Sequence, residues 1–96
     1  MEILTLPIHK KWFDMILSGE KTEEYREIKP WYVNRLHFKK THILFRNGYR
    51  KDSPSCLVKL EAIMKGKGKP EWGAPDYPVF IFRLGEIIHV SINEKE

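Results

Sequence analysis

Residues Ile16 to Arg26, ILSGEKTEEYR, run an apolar helix end into a glycine and then into a stretch charged at nearly every second position. Helix, turn and charged strand read as one unit. Upstream, from Ile8 to Ser18, the apolar residues Ile8, Trp12, Phe13, Met15, Ile16 and Leu17 recur at spacings of three, four and five, while Lys10, Lys11, Asp14 and Ser18 fill the other side. That period predicts an amphipathic helix. Gly19 follows where a left-handed residue ends a helix without a Cβ penalty, so the chain is expected to turn there. Thr22 to Ile28 then reads as a strand, with Thr22, Glu24, Arg26 and Ile28 on one face and Lys21, Glu23, Tyr25 and Glu27 on the other. If the face bearing Thr22, Glu24 and Arg26 points inward, opposite charges two positions apart are partly buried. An unpaired charge is costly there, so such burial marks a functional place. The plainer alternative is a solvated edge strand with a modest surface ion pair.

Outward from this unit, Glu2 to Leu6 fits a short strand that Pro7 ends, since proline cannot donate to a sheet ladder. Pro30 suits a first helical position ahead of Trp31, Tyr32, Val33, Leu36 and Phe38, predicting a second short helix to about His37. Thr41 to Arg46, THILFR, is a strand, and Asn47-Gly48 is a turn signal after it. Cys56 to Met64 alternates as another strand. Lys65 to Pro75 is broken by Gly66, Gly68, Pro70, Gly73 and Pro75, a composition that predicts a long loop with freedom to move. Val79 to Val90 is two strands or one long bent strand, with Gly85 at the bend. Five or six short strands and two short helices in under a hundred residues predict a mostly β fold with α+β elements: a small β-barrel forming one domain over residues 1–96. A doubly wound parallel sheet would need crossover helices, and the second half of the chain has none.

Composition narrows the function classes. A chain 42% hydrophobic and 31% charged is globular rather than disordered. Its longest apolar runs, such as Val79 to Phe82, are too short to span a bilayer, and the N-terminus lacks a basic stretch followed by an apolar core, so a soluble, non-exported protein is expected. Cys56 has no cysteine partner, which excludes an intramolecular disulfide and fits a reducing cytoplasm. One thiol with scattered histidines makes a poor metal site, and neither metal nor other cofactor is expected. His9, His37, His42 and His89 read as structural. A monomer is expected. The net charge of +4 is uneven: residues 31 to 70 hold ten Lys/Arg against two Asp/Glu, whereas residues 1 to 30 hold five against six and residues 71 to 96 two against five. A basic middle beside aromatics suits phosphate backbones, or serves solubility alone. Lys39, Lys40, Arg46, Arg50 and Lys51 are read as a solvated face first and a phosphate track second.

The string around Gly19 resembles the signature of the ASCH family of the PUA-like superfamily: a helix ending in Gly, then Lys, then Glu three residues on, then Arg two further. Gly19, Lys21, Glu24 and Arg26 match it, and the order of elements extends the resemblance over nearly the whole chain. The resemblance implies a PUA-like barrel whose cleft accepts RNA or a nucleoside or nucleotide, modified or not. Its ligand-binding set would be Gly19, Lys21, Thr22, Glu24, Arg26, Trp31 and Arg46. In that set Lys21 and Arg26 meet phosphate or base acceptors and Glu24 accepts from an exocyclic amine. Tyr25, Trp31 or Tyr32 would stack on a base. Trp12 and Phe13 are expected in the core.

Some ASCH relatives hydrolyse N4-acetylated cytidine with a Lys, a Thr three residues later and a distant Glu. Here the third residue after Lys21 is Glu24, and a regular strand would send Thr22 to the face opposite Lys21. An enzyme on this chain would therefore use Lys21 and Glu24 as its catalytic pair, with Glu61 as a candidate distant carboxylate. Other relatives have been proposed to cut RNA, with Lys21 and Arg26 on the phosphate and Glu24 as base. The sequence puts binding first, hydrolysis second, and a protein-interaction adaptor using the basic middle third.

Overall fold

The computed structural model describes residues 1–36 and 39–92. Its elements are β1 (Ile3–Pro7), α1 (Lys10–Leu17), β2 (Glu23–Arg26), α2 (Pro30–Arg35), β3 (His42–Arg46), β4 (Ser55–Gly66) and β5 (Val79–Ser91). The five strands form one curled half-barrel sheet in the order β1-β3-β4-β5-β2. The mostly β fold with two short helices is thus the observed one. β1 and β3 run parallel, and the other three pairings are antiparallel. The parallel pair lies in the half of the chain that has helices to make the crossover, as chain connectivity demands. Pro7 closes β1 on the sheet edge, where its missing N–H leaves no ladder bond unmade.

The sheet wraps one main core. Leu4 and Leu6 of β1, Ile43 and Phe45 of β3, and Cys56 and Val58 of β4 pack with Phe13 and Ile16 of α1 and with Phe80, Phe82 and Leu84 of β5. A smaller cluster lies on the opposite face of β5, where Val79, Ile81 and Tyr25 are covered by Met64, Trp72 and Ala74. Val79 to Phe82 is therefore buried on both faces, which is why VFIF is continuously apolar rather than alternating.

Several boundaries differ from the sequence reading. β2 covers Glu23–Arg26 rather than Thr22 to Ile28, because Thr22 and Ile28 are exposed and only the Thr22 carbonyl joins the ladder, accepting from Leu84 N–H at 2.9 Å. The segment from Lys65 is no long loop: β4 continues to Gly66, and the connection over residues 67–78 contains a 3-10 turn at Pro70–Trp72. That connection is pinned by Lys69 N–H on the Tyr25 hydroxyl at 3.0 Å and by Ala74 N–H on the Lys69 carbonyl at 3.2 Å. β5 is one bent strand, with register shifts against β4 at Leu57/Val58, Val58/Leu60 and Leu60/Ala62, and Gly85 falls within the second of these, between the pairs Val58–Ile87 and Leu60–Leu84. α2 begins at Pro30 as expected and stops at Arg35, with Leu36 as its cap; the expected end at His37, and Phe38, lie outside the described residues. Among the described residues no helix is long and apolar enough to cross a membrane.

Candidate functional site

Gly19 ends α1 at φ 85°, the left-handed conformation that only glycine adopts cheaply, and its N–H bonds the Ile16 carbonyl at 3.1 Å. The turn sends Lys21 inward before β2 begins, and Lys21 N–H bonds the Met15 carbonyl at 3.0 Å. Because Lys21 precedes the strand, its side chain is free of the strand's alternation and turns toward Glu24. Its ammonium lies 3.1 Å from Glu24 Oε1 and donates to the Trp72 carbonyl at 2.7 Å, with no side-chain surface exposed. The ammonium also sits 4.8 Å from the Tyr25 ring centroid and 5.2 Å from that of Trp12, within cation–π range.

Glu24 Oε2 takes the other cation. Arg26 Nε donates to it at 2.8 Å and Arg26 Nη2 lies 2.6 Å away, so one carboxylate carries two cations and the network has a net charge of +1. Arg26 also donates from Nη1 to the Tyr32 hydroxyl at 3.1 Å and from Nη2 to the Pro7 carbonyl at 2.7 Å. Burial holds the Lys21 amine below its ordinary pKa, offset in part by the Glu24 charge and hydrogen bond. For Arg26, burial alone would lower the value, but the Glu24 carboxylate and the Tyr32 hydroxyl outweigh it and the net shift is upward. No buried side-chain polar atom among the described residues lacks a partner.

Above this network opens a cavity of about 460 Å³. Glu24, Tyr25 and Arg26 form its base. The rest of its lining comes from Pro7, Ile8, His9 and Trp12, from the Asn47, Gly48 and Tyr49 turn, and from Trp72 and Gly73. Asn47 is set in place by its Nδ2, which donates to the Ile8 carbonyl at 3.0 Å. Tyr49 is 92% exposed at the loop tip. Gly73, at φ 95°, lies so close to Trp12 that a Cβ there would come within 2.8 Å of its ring. A second cavity, of about 360 Å³, adjoins the first and shares Tyr25, Arg26 and Gly73 with it.

Of the residues expected at the site, Glu24 and Arg26 line the cavity and Lys21 lies behind its base. Gly19 and Thr22 are exposed outside the lining. Trp31 also lies outside it: half-exposed on α2, its ring takes the Arg35 guanidinium at 3.7 Å, while the neighbouring Tyr32 faces Arg26. Arg46 points the other way, toward the Arg50 carbonyl and a shallow depression with Lys51 and Ser55. Trp12, expected in the core, is only half-buried because it forms a cavity wall. Glu61 sits on exposed β4 beside Gly85, away from the lining.

The sequence reading missed His9, Asn47, Tyr49, Trp72 and Gly73. The one usable signal was the Asn-Gly turn after a strand, which marks where a loop tip projects. Chemically, the arrangement gathers the aromatic residues Trp12, Tyr25, Tyr49 and Trp72 around a cavity that Glu24 and Arg26 also line. No family model matches the chain, and no curated protein or solved structure matches it significantly.

Proposed function

We propose that the chain is an ASCH-type, PUA-like module that holds a base of RNA, or a free nucleoside or nucleotide, in the cavity above Lys21, Glu24 and Arg26. The observation that carries this reading is the pairing of aromatic walls, Trp12, Tyr49 and Trp72, with a buried network of net charge +1 beneath them. Aromatic walls take any planar base, and a fixed positive charge in a partly desolvated place favours electron-rich acceptors and anions. The network acts as a framework: both Glu24 oxygens are occupied, so it fixes the shape and potential of the slot. The proposed module is a cytoplasmic monomer, a setting that suits Cys56, whose buried thiol is pushed up to about 11 and stays unreactive.

Hydrolysis of an N4-acylated cytidine, the second reading, draws on the lowered pKa of Lys21, which brings a neutral amine nearer to working pH. Against it stands the absence of any exposed Lys21 side-chain surface from which to touch a substrate. Titration of the protein with the four nucleoside monophosphates, read by quenching of tryptophan fluorescence, tests the binding reading. Quenching that saturates for at least one of them, and weakens in Tyr49→Ala, supports it, and no saturable response sinks it. Incubation with N4-acetylcytidine, with products read by mass spectrometry, tests the second: deacetylation lost in Lys21→Ala would replace binding with catalysis.

A further inference from the structure

Strand edges without a ladder partner invite pairing with another chain unless proline, charge or shortness blunts them. Among the described residues most of the open edges in this sheet are blunted. β1 ends at Pro7, whose carbonyl also takes the Arg26 guanidinium. β2 is four residues long and holds Glu23, Glu24 and Arg26. β4 runs past its pairing with β3 at Lys59, and there it carries Glu61 and Lys65.

The last part of β5 lacks this protection. β2 pairs with β5 only from Phe80 to Arg83, and the Leu84 N–H on the Thr22 carbonyl is the final backbone bond on that side. From Gly85 to Ser91 the strand is laddered to β4 alone, which leaves a row of N–H and C=O groups facing outward. This stretch, GEIIHVS, holds no proline or lysine and a single charge, Glu86. Every residue from Ile88 to Ile92 is exposed, so both faces of the strand end are bare. Ile88, Val90 and Ile92 are 45%, 39% and 56% exposed, and β-branched residues of this kind suit a paired strand.

Going beyond the binding reading and independent of it, we propose that this edge pairs with the same edge of a second copy of the chain, antiparallel, about a two-fold axis through Ile88 normal to the sheet. One contact then satisfies both open edges and closes the assembly. Across the new ladder Ile88 meets its own symmetry mate, Ile87 faces His89, and Glu86 faces Val90. The two Glu86 residues stand four positions apart, about 14 Å at about 3.4 Å per residue, beyond the Debye length of about 8 Å at physiological salt. A parallel pairing in register would set the two carboxylates directly opposite each other, which destabilises a ladder. The single charge thus selects the antiparallel arrangement. The contact is small against the roughly 20–30 residues a side of a standard interface, so the module is a monomer when dilute and a dimer when concentrated.

Sedimentation velocity from about 10 µM to about 1 mM tests the pairing, since a short ladder should hold in that range. The average mass should climb from that of one chain toward twice it. Ile88→Lys sets two ammonium groups opposite each other and should raise the dissociation constant at least tenfold, with part of the loss recovered at high salt. Ile3→Lys, on the exposed β1 edge, should associate as the wild type does. In the wild type, amides between Gly85 and Ser91 should exchange more slowly at the higher concentration, a readout that needs no variant to fold. A single-chain mass throughout, or exchange there that ignores concentration, overturns the proposal and leaves the base-binding reading standing. Association unchanged in Ile88→Lys, or lost equally in Ile3→Lys, overturns it as well by placing the contact elsewhere.

Discussion

Arg26 Nη2 lies 2.7 Å from the carbonyl oxygen of Pro7, so one guanidinium joins the two edge strands of an open sheet. β1 and β2 are not ladder partners, and the curl of the sheet brings the end of one beside the end of the other. Arg26 meets Pro7, Glu24 and Tyr32 at once because its donors leave a rigid plane in several directions. Lysine has a single point of charge and cannot span them. Arg26→Lys is therefore expected to lose about 2–3 kcal/mol, the scale of charge-assisted hydrogen bonds left unmade. Urea denaturation gives the total, and faster amide exchange in β1 and β2 than in β4 would locate the loss at the seam.

The Lys21, Glu24 and Arg26 network predicts an asymmetry between its members. Glu24→Gln leaves two buried cations without their shared carboxylate, a change of about 3–5 kcal/mol for a broken buried pair. Lys21→Met removes one cation, leaves Glu24 neutralised by Arg26, and fills the same space with an apolar chain; the unmet Trp72 carbonyl then costs about 1–2 kcal/mol. Equal losses in the two variants, measured by urea denaturation at neutral pH, would mean that the charges are not coupled as drawn.

How far the sequence foretold this site follows from what period-based reading can see. The amphipathic helix and the Gly19 turn were legible because each follows from local spacing, whereas the burial of Glu24 was one of two alternatives, the other being a solvated edge strand, because strand alternation does not say which face turns inward. Lys21 was assigned to the strand face away from Glu24, yet it sits in the turn, where alternation does not apply, and folds back on Glu24. The cavity walls were the least legible. Tyr49 and Trp72 come from loops that no periodicity describes, and their meeting with Trp12 is set by the parallel β1–β3 crossover and by the path of residues 67–78. The glycines and prolines of that connection resembled a mobile loop in composition, while Tyr25, Lys21 and Trp72 hold it in place through contacts far apart in sequence.

Tyr49 offers the cleanest separation of binding from folding. Its side chain is almost wholly exposed, so Tyr49→Ala should move stability by less than about 0.5 kcal/mol. If it stacks on a base, the same change should weaken ligand binding by about 1–3 kcal/mol, and Tyr49→Phe should restore most of it. Equal fluorescence titrations for wild type and Tyr49→Ala would remove the loop tip from the slot.

Gly73 should resist substitution for two reasons that add. Its φ of 95° is strained for any residue with a Cβ, and that Cβ would press on the Trp12 ring rather than on a flexible tip. Gly73→Ala is expected to cost about 1–2 kcal/mol in thermal or urea unfolding. Displacing Trp12 should also shift its fluorescence maximum in the unliganded protein; an unchanged spectrum and unchanged stability would contradict the close approach.

The alkaline limb of stability isolates Tyr25. Its phenol is pushed from 10.0 up to about 12, mainly by burial, with the Lys69 N–H opposing and Glu23 adding to the shift. As pH rises through this window the unfolded chain sheds a proton that the folded chain keeps. The folded state then binds more protons, and stability falls with pH: the contribution is whole below 10.0 and is lost by about 12. Lys21 has the opposite sign, because burial lowers its amine below 10.5, the unfolded chain holds the extra proton, and its contribution rises with pH up to that value. Comparing wild type with Tyr25→Phe cancels the lysine, which both proteins share. The urea midpoint of the wild type should therefore drop more steeply than that of Tyr25→Phe between pH 10.0 and about 12, although the variant starts lower for want of the Lys69 hydrogen bond. Parallel curves for the two proteins would place the Tyr25 hydroxyl in water instead of beneath the connection that carries Trp72.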